Sequence, residues 1–151
     1  MILLGEMRDY DTISAAITAA ETGVLLMSTL HTSSAANTIS RILDVFPANQ
    51  QKQVKIQLAR MLKGAVCQQL VPSVDGGLIP VFEILKTNVA VQNMIREDKL
   101  HQLESVMQAG AAEGMCTMDG SLLSLYQQGR ITKETALISC VNFENMVKRL
   151  G

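Results

Sequence analysis

Near its start the chain carries three apolar residues in a row, Ile2, Leu3 and Leu4, a run too short for a helix face and typical of a buried parallel strand. A polar stretch follows. Ile13, Ala16, Ile17 and Ala20 then recur at helical spacing, with Asp11 as the expected N-cap and Gly23 as the expected stop. Val24 to Leu30 reads as a second buried strand. After His31 and Thr32, Ser33 or Ser34 is placed to cap a helix whose apolar face is Ile39, Ile42, Leu43 and Phe46, ended by Pro47. Another amphipathic helix is expected from 50 to 62, with Val54, Leu58 and Met61 inward and Gln51, Lys55 and Gln57 outward. The order β-α-β-α is the grammar of a parallel sheet covered by helices.

From residue 65 the pattern changes. The runs 65–71 and 78–85 are strand-like and flank Asp75-Gly76-Gly77, which predicts an antiparallel hairpin that extends the sheet at an edge. Past Thr87 the strand signals stop. Helical segments are expected at 89–96, 100–108, 120–128, 133–139 and 142–150, broken by glycines at 110, 114, 120 and 129. The expected fold class is α/β: a partial parallel sheet flanked by helices with an added hairpin over residues 1–86, and a helical C-terminal subdomain over 87–151.

Length and composition narrow the class. With 151 residues, 48% of them hydrophobic, the chain can build one core and is short for two full domains. The formal net charge is -1 and the basic residues are scattered, so the stripe that a phosphate backbone requires is missing and nucleic acid is not an expected partner. Cys67, Cys116 and Cys140 are odd in number and far apart, which suits reduced thiols and a cytoplasmic location. No apolar stretch reaches the roughly 20 residues that a membrane-spanning helix needs, so no direct membrane insertion, leader or anchor is expected. A chain that opens inside an apolar run also suggests a piece of something longer.

Two polar clusters carry candidate chemistry. Gly5-Glu6-Met7-Arg8-Asp9 lies just past the first expected strand, and Thr29-Leu30-His31-Thr32 ends the second. Open parallel sheets bind ligands at the carboxyl ends of their strands, so Glu6 and His31 are expected as neighbours on one rim. A carboxylate there can orient or deprotonate a water that attacks a phosphate, or hold Mg²⁺ through water, while a histidine can donate a hydrogen bond to a terminal phosphate oxygen. On the residues alone, an exposed mixed-charge loop, a surface histidine, and an ion pair of Arg8 with Asp9 or Asp11 are the competing readings. The phosphate-binding pattern G-x-x-x-x-G-K-S/T occurs nowhere in the chain; Lys63-Gly64 has the wrong order.

Together these segments resemble the secretion and pilus ATPases, a superfamily of type II/IV secretion motors, and most nearly their type IV pilus retraction branch. Gly5 to Asp9 is similar to the family's Walker B region, in which glycine replaces the usual aspartate. Thr29 to Thr32 resembles its histidine box, and the stretch around Gln68-Gln69-Leu70 resembles the next family segment. Ala90-Val91-Gln92-Asn93-Met94-Ile95-Arg96-Glu97 is similar to the retraction motif, with Gln92 and Met94 where arginine and leucine are usual. His101-Gln102-Leu103, Gln108-Ala109-Gly110 and 114–119 also fit, and the paired C-x-x-C insert common in assembly and type II secretion motors is missing, which favours retraction.

The resemblance implies half of a RecA-like ATPase core, with Glu6 as catalytic base, His31 as γ-phosphate sensor, and Gly5, Arg8, Thr29 and Thr32 as support. Ala90, Asn93, Ile95, Arg96 and Glu97 would form the retraction motif. It further implies ATP and Mg²⁺ as cofactors, a homo-hexamer, and a platform protein at the inner-membrane base of a pilus as partner. Walker A, the acidic box, the arginine fingers and a regulatory domain would lie upstream, so this chain alone is expected to be inactive. A pilus-assembly or secretion motor, and a non-catalytic oligomerisation module, are the alternatives.

Overall fold

A computed structural model describes all residues, 1–151. Strand β1 (Ile2–Glu6) leads into helix α1 (Tyr10–Glu21), β2 (Leu26–Thr29), α2 (Ala35–Asp44) and α3 (Ala48–Met61). A hairpin of β3 (Gly64–Pro72) and β4 (Leu78–Lys86) follows, then α4 (Val89–Arg96), α5 (Leu103–Ala109), α6 (Met118–Gln127), α7 (Lys133–Ser139) and α8 (Phe143–Leu150). Single 3₁₀ turns at Leu100–Gln102 and Gly110–Glu113 flank α5.

β1 and β2 pair in parallel, and β3 and β4 pair antiparallel from Gly64↔Lys86 to Pro72↔Leu78. The mixed α/β class is as expected; the hairpin's place is not. It forms its own sheet instead of extending the parallel one. Cys116 bridges β4, with Ile84 and Cys116 exchanging both backbone hydrogen bonds at 2.8 and 3.0 Å.

Several boundaries also move, each for a local reason. Asp9, not Asp11, caps α1: its backbone is extended and its side chain accepts from Thr12 N at 2.8 Å, while Asp11 sits in the first turn, where negative charge suits the helix dipole. Gly23 follows the helix end with φ +85°, a conformation that glycine adopts at little cost. Ser34 is the cap of α2. Gly120 does not interrupt α6; it lies in its first turn and donates to the Thr117 cap at 3.1 Å. β1 reaches Glu6, so that residue ends the strand rather than following it. Nor are the first strands fully buried. Leu3 is 78% and Met27 54% exposed, since the pair carries α1 on one side only.

Two apolar cores result. The first joins Ile13, Ile39, Leu58, Leu85, Val91, Ile95 and Leu103, so α4 and α5 pack with α1 to α3. The second joins Val71, Ile79 and Val81 of the hairpin to Met118, Leu122, Ile131 and Met146 of α6 to α8. The hairpin contributes to both. No helix is long and apolar enough to cross a membrane.

Candidate active site

The rim is built at the carboxyl ends of β1 and β2. The register runs Leu4↔Ser28 and then Glu6↔Thr29, leaving Gly5 as the extra residue of a bulge. Bulges re-aim side chains, and parallel ones are rare. The Thr29 hydroxyl donates to the Gly5 carbonyl and Met7 N donates to Thr29 O at 3.2 Å, so the bulge is held from both sides. A Cβ on Gly5 would meet nothing within 4 Å, so glycine is not required there by space.

The bulge delivers Glu6 between two basic groups. Its Oε2 lies 2.6 Å from Arg8 Nη2, and its Oε1 lies 3.3 Å from His31 Nε2. Glu6 is 23% exposed, whereas Arg8 and His31 are 74% and 77% exposed. The Arg8 hydrogen bond is the main force holding the Glu6 carboxyl below the usual carboxylate range; the charges of Arg8, His31 and Arg41 add to it, against partial desolvation. Glu6 in turn raises the Arg8 guanidinium. Arg8 therefore pairs with Glu6, not with Asp9 or Asp11.

The four residues expected next to this pair are arranged around it. Thr32 is tied to α2, where its hydroxyl lies 2.7 Å from that of Thr38. Thr38 in turn donates to Ser34 O at 2.9 Å. Arg41, one turn further along α2, donates to His31 O at 3.1 Å. Thr38 and Arg41 escaped the sequence reading because only the apolar face of α2 was traced; their spacing of three puts them on one polar face, a signal available in principle. A shallow open groove beside the rim runs past His31, Thr32, Asn37, Ser40 and Arg41.

The segment 90–97 lies elsewhere, on α4. Asn88 caps the helix, accepting from Val91 N at 3.0 Å. Ile95 is fully buried in the first core, Asn93 is partly covered, and Ala90, Arg96 and Glu97 are exposed. Arg96 donates to Asn93, and Glu97 pairs with Lys99 at 2.6 Å, whose hydrogen bond lowers the Glu97 carboxyl. No hydrogen bond or ion pair joins these residues to Glu6 or His31. Sequence reasoning also missed two buried carboxyl groups, Glu83 and Asp119, each 5% exposed.

The arrangement defines a class: an α/β domain with an ionised carboxylate beside an imidazole where open parallel sheets bind their ligands. The family model for type II/IV secretion system proteins matches residues 1–78, and the chain belongs to that family. Among its relatives, a twitching motility protein of Neisseria gonorrhoeae is 50% identical over 147 residues, covering 97% of this chain and 39% of the relative. The type IV pilus retraction ATPase PilT of Pseudomonas aeruginosa is 46% identical over 136 residues, covering 90% and 40%. The crystal structure of the pilus retraction motor PilT with bound ADP superposes with a TM-score of 0.88 at 44% identity, over 97% of this chain and 41% of that one. The chain thus spans about 40% of the length of the curated relatives it matches.

Proposed function

We propose that the chain is part of a homo-hexameric ATP-hydrolysing motor that drives type IV pilus retraction from the cytoplasmic base of the pilus, against an inner-membrane platform protein. What carries this reading is the 3.3 Å approach of Glu6 and His31 on adjacent strand ends, in a chain similar to retraction ATPases over nearly its whole length.

Glu6 meets the attacking water. Its depressed pKa keeps it ionised and makes it a weak proton acceptor, so it serves best by orienting that water, and positioning is most of phosphoryl-transfer catalysis. Before that it must exchange its Arg8 contact for water, which the exposure of Arg8 permits. His31 donates to the terminal phosphate oxygen, Thr32 steadies its loop through Thr38, and Thr29 and Gly5 hold the bulge. A single carboxylate suits Mg²⁺ held through water, since that ion keeps several waters. When bound, Mg²⁺ neutralises charge developing on the phosphates.

The functional division proposed is 1–86 for nucleotide chemistry and 87–151 for the helical part, in which Ala90, Asn93, Arg96 and Glu97 serve retraction and Ile95 anchors α4. Without the phosphate-binding lysine and its loop, the 151-residue chain is expected to hydrolyse no ATP above background. The test is a phosphate-release assay on the purified chain beside the longer protein that encloses it. A turnover of the chain by itself of about 1 per second, abolished by Glu6→Gln, would overturn this expectation.

A further inference from the structure

Glu83 is buried in the middle of β4 and forms no ion pair. Its Oε1 accepts from Ala35 N at 2.7 Å and its Oε2 from Met118 N at 3.2 Å. Those are the first residues of α2 and α6. Each helix already has a cap of its own: Ser34 accepts from Asn37 N, and Thr117 from Gly120 N. Glu83 takes a donor that each cap leaves free. First-turn N–H groups lack partners within their helix and form its positive end, so one acceptor between two such ends holds both helices to the hairpin.

Each helix leads somewhere different. On α2, Thr38 holds Thr32, and Arg41 holds the His31 carbonyl. Thr38 also lies 3.8 Å from Cys67, the residue opposite Glu83 in the hairpin register. On α6, Asp119 accepts from Val141 N at 2.7 Å and Asn142 N at 2.9 Å, which fixes the connection between α7 and α8.

We propose that Glu83 is a positioning residue that couples the His31–Thr32 rim to the α6–α8 block, so that a shift of the block is felt at the rim. It belongs to neither core's apolar set, yet it is hydrogen-bonded to helices of both. Its consequence for hydrolysis rests on the function proposed for the rim. The coupling itself needs no nucleotide.

The experiment is NMR of the nucleotide-free 151-residue chain, recording His31 ring resonances and amide exchange at Thr32 and Ala35. Asp119→Asn loosens the α7–α8 connection from within the block. With Glu83 intact it is expected to shift the His31 ring signals and to speed exchange at Ala35 by about tenfold, as local opening does. In a Glu83→Gln background the same change is expected to leave them unmoved, a non-additivity that only coupled sites show. Ala35→Pro provides a second route should Glu83→Gln not fold. Proline is accepted at a first helical position, and there it removes the α2 donor while leaving the Met118 bond. It too is expected to uncouple the rim from Asp119→Asn. Should Asp119→Asn leave the rim unchanged in the intact chain, or perturb it equally in all three backgrounds, Glu83 is a local cap and the coupling is refuted.

Discussion

Glu6 ends a short strand with its side chain 23% exposed and faces a guanidinium and an imidazole, whereas Asp119 is 5% exposed and gives both oxygens to the backbone N–H groups of Val141 and Asn142. Both are carboxyl groups at the edge of a secondary-structure element. Glu6's partners are exposed side chains in contact with water, so an exchange for a water or a phosphate costs little. Asp119's partners are main-chain N–H groups fixed in place by the α7–α8 connection, and they occupy both of its oxygens, so its role in the fold leaves nothing over for chemistry. The difference separates the two halves of the molecule: a rim whose polar groups meet solvent, and a packed helical block that holds a shape.

The largest effect is expected at the rim. In the longer protein that encloses this chain, Glu6→Gln should lower kcat for ATP hydrolysis by about two to four orders of magnitude with nucleotide still bound, the usual scale for losing a general base or water-orienting group. A loss of only a few-fold would make Glu6 a surface ion pair.

Asp119→Ala should do the opposite. Leaving two part-buried N–H groups without their acceptor, at about 1–2 kcal/mol each, should cost about 2–4 kcal/mol of stability in urea denaturation, with hydrolysis reduced far less than by Glu6→Gln. A cost under about 0.5 kcal/mol would mean that water replaces the carboxylate, and the contrast between the halves would vanish.

His31→Ala removes one hydrogen bond to phosphate rather than the water's orientation, so hydrolysis should fall by about three- to tenfold, measured in the same assay. Smaller again is the expected effect of the double change Arg96→Ala with Glu97→Ala on hydrolysis, within about twofold, since surface substitutions remote from a site change little. Twitching motility of the same strain should nevertheless be lost. Tail variants that lost hydrolysis as fully as Glu6→Gln would join α4 to the catalytic assembly.

The smallest effect concerns pH. The folded pKa of Glu6 is depressed, so its contribution to stability is complete above the usual carboxylate range and is lost as pH falls through the lower folded value. The stability gap between the chain and Glu6→Gln should therefore be slight at neutral pH and close on acidification. A gap that widened in acid would reverse the assigned sign.

Much of this was legible in the residue order. Hydrophobic spacing marks α1 to α4 and α6 to α8 and the hairpin because side-chain period is a local property of helix and strand. The rim residues were legible too, because strand ends in parallel sheets converge and both ends here carry polar groups. The caps were harder. Asp9 and Asp11 both satisfy the composition of a helix start, and only the backbone separates them, extended at Asp9 and helical from Tyr10 on.

What the sequence alone determined was the type of each element, the hairpin's turn, and the polar group that ends each of the two parallel strands, all properties set within a few residues. The tertiary structure decided the rest. It kept the hairpin out of the parallel sheet and brought Cys116 back against β4. It buried Glu83 and Asp119 by bringing them N–H donors from distant parts of the chain. A buried carboxyl group is tolerated only where such donors meet it, and their arrival is a matter of packing across 22 to 48 residues of chain, which no local pattern encodes.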